Sequence, residues 1–206
     1  MRIIDISPLV TESSPVYPGD DPLFIKLASS SNTIVGTFKM SAHLGAHIDA
    51  PLHLKRLGDV SEIKLSKLIG PCQVMEVNKR GAIEVRDLHE VRSCRVLLKT
   101  GFKRQTKWTS NFAYLSVQAV KHLAAAGVHL IGIDTPSIDP ESDENLSSHV
   151  LAIDSGILIL ENLDLTEVRS GLYRLIALPL KIKGLEASPV RAVLIDDKEN
   201  PIEECF

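Results

Sequence analysis

The chain of 206 residues is marked first by what it lacks. No apolar run reaches the ~18 residues that a membrane-spanning helix needs. Lys and Arg never stand more than two in a row and the formal net charge is -3, so there is no basic footprint for nucleic acid or an anionic membrane. Cysteine is scarce: Cys72, Cys94 and Cys205 are odd in number and widely spaced. That spacing argues against a disulfide framework and predicts reduced thiols, with Cys72 and Cys94 as small buried hydrophobes. Aromatic residues make up 4%, and the single tryptophan, Trp108, lies between Lys107 and Thr109, which reads as a surface or interface position. There is no G-x-S-x-G elbow, only the fragment Asp154-Ser155-Gly156, which argues against a serine hydrolase. No linker, repeat or low-complexity tract divides the chain, so residues 1–206 are expected to form one domain. Arg2 and Asp5 interrupt the first apolar run, unlike a signal peptide, and a cytoplasmic location is expected.

The composition, 44% hydrophobic and 24% charged, is that of a globular domain with a core of its own. Strand-like runs occur at 3–6, 24–28, 34–40, 73–77, 95–99, 129–134, 157–161, 174–178 and 190–195. The segment 15–22 holds three prolines and Gly19 and predicts a rigid loop. Ser116 caps an amphipathic helix that Gly127 ends, and a second helix is expected over about 143–154. Strands outnumber helices and only some have a helix between them. The pattern predicts an α/β domain with a mixed or barrel-like sheet flanked by helices.

Three of the seven histidines fall in residues 43–53: His43, His47 and His53, with Asp49 among them. All four sit at odd positions, so extended backbone would place them on one face. Extension alone would leave His43 and His53 roughly 33 Å apart. Metal–ligand bonds of about 2 Å require the chain to fold back, and Gly45 and Pro51 stand where it could. Pro51 also rules out a regular helix. A short strand leading into a tight loop meets both demands. Imidazole and carboxylate together suit Zn, Mn or Fe, and without a thiolate the set is of the catalytic type rather than the structural Cys type.

The stretch His43-x-Gly45-x-His47-x-Asp49-x-Pro51-x-His53 resembles the H-x-G-T-H-x-D-x-P-x-H signature of the cyclase family of metal-dependent hydrolases, to which bacterial kynurenine formamidases belong. Asp5-Ile-Ser-Pro8, the loop 15–20, Gly132-Ile-Asp-Thr-Pro-Ser137, Leu178-Pro-Leu-Lys181 and 187–192 extend the likeness over nearly the whole chain. The resemblance implies a cyclase-like, swivelling α/β/α fold and a two-metal centre, Zn²⁺ first and Mn²⁺ second. It implies that His43, His47 and Asp49 are ligands, with Asp49 bridging, and that His149 and Glu161, twelve residues apart, complete the set. It makes His53 the general acid/base and Tyr17 a substrate-stacking residue, and it implies a homodimer or a dimer of dimers.

The chain departs from the family pattern at four places. Ala46 replaces a threonine, Val150 the second of two adjacent histidines, Ser155 a later histidine, and Tyr17 a tryptophan. None of the four removes a ligand. The implied reaction is metal-dependent hydrolysis of an aryl formamide, N-formyl-L-kynurenine giving L-kynurenine and formate. The alternatives are hydrolysis of another cyclic or aryl amide or lactone, and a non-catalytic metal-binding protein on the same scaffold, against which an intact His53 argues. Other polar residues read as structural. Asp20 and Asp21 are turn residues, Asp134 caps the Thr135-Pro136 turn or serves as a catalytic acid, and Arg191 forms an internal ion pair or binds a carboxylate. His89, His122 and His129 are surface or packing residues.

Overall fold

The computed structural model describes residues 1–196. Cys205 therefore lies outside the described residues. Strands β1 (Arg2–Asp5), β2 (Phe24–Ser29), β3 (Ile34–Lys39), β4 (His47–Asp49), β5 (Ile69–Glu76), β6 (Gly81–Ile83), β7 (Arg95–Lys99) and β8 (Ala113–Leu115) precede helix α1 (Val117–Ala125). Then follow β9 (Leu130–Ile133), helix α2 (Ser147–Asp154), β10 (Leu158–Glu161), β11 (Gly171–Pro179) and β12 (Ala187–Asp196). Eight strands form one mixed sheet in the order β1-β12-β11-β5-β7-β9-β10-β4.

The sheet closes on itself because β12 is long. Its first residues, Ala187 to Pro189, pair with β4, while 193–196 pair with β1 along the same edge. The other edge of β12 holds β11. The barrel-like sheet expected from the sequence is thus a seven-strand ring with β1 appended, and closure leaves no bare edge between β4 and β12.

Side-chain alternation sorts the apolar residues into two cores. Leu97, Leu130, Leu158, Leu160, Ile48, Leu175 and Leu194 point into the ring. Their neighbours Val96, Leu98, Ile131, Ile133 and Ile159 point outward, against Ala119, Val120 and Leu123 of α1 and Ala152 of α2. Central strands covered on both faces read as continuous apolar runs, as LIGI and LILE do here. Gly132 is required inside the ring, where a Cβ would collide with Leu97. Ser116 caps α1 by accepting a hydrogen bond from the Ala119 N–H.

Two expectations are corrected. Helix α2 begins at Ser147, not near 143, because Leu146 is left-handed (φ 49°) and the Asp143 carboxylate ties the preceding turn to the N–H groups of Asn145 and Ser147. Cys72 is a free, buried thiol as expected, but Cys94 is half-buried and disulfide-bonded. The alternating runs of β2 and β3 form strands as expected; among the described residues they pair only with each other, and every one of their residues is exposed. Among the described residues no helix is long and apolar enough to cross a membrane.

Candidate metal centre

The site is built on the outer face of β4 and β10. Ile48 enters the ring, so its neighbours His47 and Asp49 face the opposite way. Antiparallel register sets Glu161, the last residue of β10, directly across from His47. Helix α2 lies over this face and brings His149 down onto it. Pro51 starts a 3-10 turn over Pro51–Leu54 that folds the chain back and returns His53. Gly45 makes the approach possible: its φ is 79° and a Cβ there would lie 2.5 Å from Val10. The required reversal thus occurs at the two residues the sequence offered for it.

Six side chains meet. Asp49 Oδ1 lies 3.3 Å from His43 Nδ1 and 3.6 Å from His47 Nε2, and Asp49 Oδ2 lies 3.4 Å from His149 Nε2. Glu161 Oε2 is 3.3 Å from His47 Nε2, and its Oε1 is 3.2 Å from His149 Nε2. The His53 ring centre is 4.6 Å from that of His43 and 5.7 Å from that of His149. His47, Asp49, His149 and Glu161 are all buried.

These donors fit a metal ion better than they fit one another. His47 Nε2 and both Asp49 oxygens are buried without a hydrogen-bond partner. Burying such groups unpaired is costly. Two donors each ~2.1 Å from one tetrahedral ion stand ~3.4 Å apart, and the separations above match that figure. The other ring nitrogens are already committed. His47 Nδ1 lies 3.0 Å from the Gly45 carbonyl and His149 Nδ1 lies 2.7 Å from the Asp139 carboxylate. Donation from Nδ1 leaves the Nε2 lone pair free, the usual arrangement behind a metal-binding imidazole. Two donor sets share Asp49: His43 and His47 on one side, His53 and His149 on the other.

The electrostatics agree. Burial opposes charge on His43, yet the Asp49 carboxylate, with Glu161 and Glu186 behind it, raises its pKa to about 9. His149 is likewise opposed by burial but is pushed well above the imidazole range by Glu161, Asp139 and Asp49. Burial would raise Asp49 and Glu161, but the surrounding imidazoles hold both below their ordinary values. The carboxylates demand positive charge, which a divalent cation supplies without protonating the ligands. His53 differs: burial lowers its pKa.

Backbone strain marks the same place. Four non-glycine residues among those described have left-handed backbone, and three flank the site. Lys55 (φ 58°) ends the turn carrying His53, Leu146 (φ 49°) precedes α2, and Asn162 (φ 59°) follows Glu161. Such strain is held where packing over-determines the geometry.

The centre lies in a pocket of about 560 Å³ that is also lined by Tyr17, Phe102, Trp108 and Phe112. Tyr17, named from the sequence, is therefore at the pocket but on a different loop from the ligands. Trp108, read as a surface or interface position, is half-buried and lines the pocket. Asp139 and Glu186 were not identified from the sequence either. Asp139 binds the backbone N–H groups of Ser148 and His149 as well as the His149 ring, and the only available hint was its place just beyond Thr135-Pro-Ser137. Asp134 is not in the pocket. Its carboxylate accepts from Thr100 N–H, Thr100 Oγ1 and Gly101 N–H, and burial raises its pKa against those bonds. Arg191 pairs with Asp5. Asp20 accepts from Ser41 Oγ at the base of the His43 turn, and Asp21 pairs with Lys39. His89 and His122 are exposed and His129 is half-buried.

A ring-shaped mixed sheet with a His/Asp/Glu centre on its outer face defines a metal-dependent hydrolase of the cyclase type. The chain belongs to the Cyclase family: the family's profile, described as "Putative cyclase", matches residues 4–140. It is 41% identical over 202 residues to a kynurenine formamidase of Delftia acidovorans, covering 94% of this chain and 97% of that protein. It is 40% identical over 209 residues to a kynurenine formamidase of Salinibacter ruber, covering 95% of this chain and 98% of that protein. A solved structure described as a potential metal-dependent hydrolase with cyclase activity superposes with a TM-score of 0.84 at 27% identity, covering 95% of this chain and 99% of that one.

Proposed function

We propose that the protein hydrolyses an aryl formamide, N-formyl-L-kynurenine, to L-kynurenine and formate. The observation that carries the reading is the set of buried, unpartnered donors, His47 Nε2 and both Asp49 oxygens, at an aromatic-lined pocket. The relatives' activity supplies the substrate. His43, His47, Asp49, His149 and Glu161 would hold two ions, zinc first and manganese second, on borderline N and O donors. When bound, such ions lower the pKa of water from 15.7 to about 7 and polarise a carbonyl. His53 is the neutral imidazole beside them, suited to take a proton from the attacking water and return it to the departing aniline nitrogen. Asp139 fixes the His149 ring so that Nε2 faces the centre.

The proposal extends to assembly. Phe24, Ile25, Leu27, Ile34, Val35 and Phe38 are between 47% and 70% exposed on the β2–β3 ribbon. A lone two-stranded ribbon is marginal in water, and an apolar patch of this extent is characteristic of an interface. A second copy of the chain, related by a two-fold axis, is the occupant we assign, giving a homodimer. The direct test of function is to follow kynurenine release from N-formyl-L-kynurenine by the metal-loaded protein, alongside a cyclic amide and a lactone. Release from the formamide supports the reading, and turnover confined to the ring substrates replaces it. Binding of metal without any hydrolysis would make the chain a non-catalytic metal binder.

A further inference from the structure

The chain has five phenylalanines, three tyrosines and one tryptophan, and among the described residues four of these rings line one pocket. They are not scattered around it. Phe112 is 2% exposed and anchored in the fold. Trp108 packs edge-on against it, with ring centres 6.2 Å apart and an interplanar angle of 73°. Tyr17 then packs edge-on against Trp108 at 5.0 Å and 72°, and is itself 46% exposed. The three rings form a chain running from the core outward. Offset and edge-to-face geometries of this kind are favoured by the aromatic quadrupole.

Trp108 is also fixed by a polar bond. Its Nε1–H donates to Glu141 Oε1 at 3.2 Å, and Glu141 lines the same pocket. The rotamer is therefore set from both sides, by Phe112 and by Glu141. The chain's one indole reaches the same pocket as Tyr17, from the 102–112 loop.

We infer that Trp108 is a specificity-determining residue that, with Tyr17, receives the planar aryl group of the substrate. This rests on the aryl-formamide reading and deepens it. The pair selects an aryl over an alkyl substituent on the formamide nitrogen and leaves the formyl group to the metal centre. No bond is made or broken at Trp108.

Because Trp108 is the sole tryptophan, its fluorescence reads occupancy without any turnover. Kynurenine, titrated into the wild-type protein with and without metal, is expected to quench that emission saturably, whereas formate is not. In kinetics, Trp108→Ala should raise KM for an aryl formamide about 10-fold, the size of one lost aromatic contact with its buried area. It should leave kcat/KM for N-methylformamide within about 2-fold, and Trp108→Phe should recover most of the loss. A structural role alone would lower both substrates together, and that result overturns the inference. Absence of saturable quenching by kynurenine, with wild-type KM retained in Trp108→Ala, overturns it too. If the wild type hydrolyses no formamide while an aromatic ligand still quenches Trp108 saturably, the aryl site stands and the proposed reaction fails.

Discussion

Strand β4 and the ribbon β2–β3 invert each other. Strand β4 is three residues long and wholly buried, and two of the three are His47 and Asp49. The ribbon has two six-residue strands, wholly exposed, with Phe24, Ile25, Leu27, Ile34, Val35 and Phe38 on its surface. One places unpartnered polar atoms in the interior and the other places apolar rings in water. Folding of the single chain rewards neither arrangement. Each suits something outside the chain, a cation in the first case and, in the assembly proposed above, a second copy in the second.

The largest expected effect comes from breaking the buried region. His47→Ala removes a donor aimed at Asp49 and Glu161, and elemental analysis should show metal lost together with activity, at least ~10³-fold. His53→Ala should lose about 10²–10⁴-fold in kcat while keeping most of the metal, as removal of a proton shuttle does. Equal loss of metal in both variants would make His53 a ligand, a role its place beside Asp49 and His149 permits.

A smaller effect is expected one step further out. Asp139→Asn leaves every donor in place but weakens the bond that orients the His149 ring. Loss of such supporting carboxylates costs about 10–100-fold in metal affinity or activity. Competition with a chelator of known affinity measures it, and unchanged affinity and rate would show that the Ser148 and His149 backbone bonds are all that Asp139 provides.

How much of this was legible in the sequence follows from range. His43, His47, Asp49 and His53 lie within eleven residues, so their grouping could be read directly and Pro51 and Gly45 announced the bend. Strands β7, β9 and β10 were visible because burial on both faces leaves continuous apolar runs. His149 and Glu161 were placed by resemblance, since no local pattern links them to residue 47; the β4–β10 register brings Glu161 there and helix α2 carries His149. A barrel-like sheet could be expected, but the way it closes could not, because closure depends on β12 serving β1 and β4 along one edge. The place of Trp108 in the pocket was not legible because its neighbours are polar and its aromatic partners, Tyr17 and Phe112, meet it only through tertiary packing. The exposure of β2–β3 was missed for a related reason: alternation predicts a strand, but not that anything covers it.

The ribbon can be tested from the opposite direction. Phe38→Asp puts a charge on an exposed apolar ring and removes nothing from the core. In a monomer such a change is nearly neutral or mildly favourable, within about 0.5 kcal/mol. In a dimer assembled through the ribbon, light scattering at micromolar concentration should show dissociation, and melting should cease to depend on protein concentration. Wild-type protein that is already monomeric and concentration-independent would remove the ribbon from the comparison.

The smallest effect is expected at a pair that repeats the chemistry of the buried cluster in water. Arg191 of β12 donates from Nε and Nη2 to the Asp5 carboxylate of β1, with the two side chains 77% and 41% exposed. Acid and base meet here as they do around Asp49, but solvent screens them and already solvates each alone. Asp5→Asn should therefore cost no more than about 1 kcal/mol, with activity unchanged. The hydrogen bond from Arg191 lowers the Asp5 pKa below its ordinary 3.8. A depressed carboxyl stabilises the fold above the unfolded-state value and loses that contribution as pH falls through the folded one. The gap in melting temperature between wild type and Asp5→Asn should hence be constant above about pH 4 and close below it. If the gap instead exceeds that produced by Asp139→Asn in the metal-loaded protein, the anchoring of β1 to β12 outweighs the orientation of His149, and burial is not what separates the two kinds of charged contact.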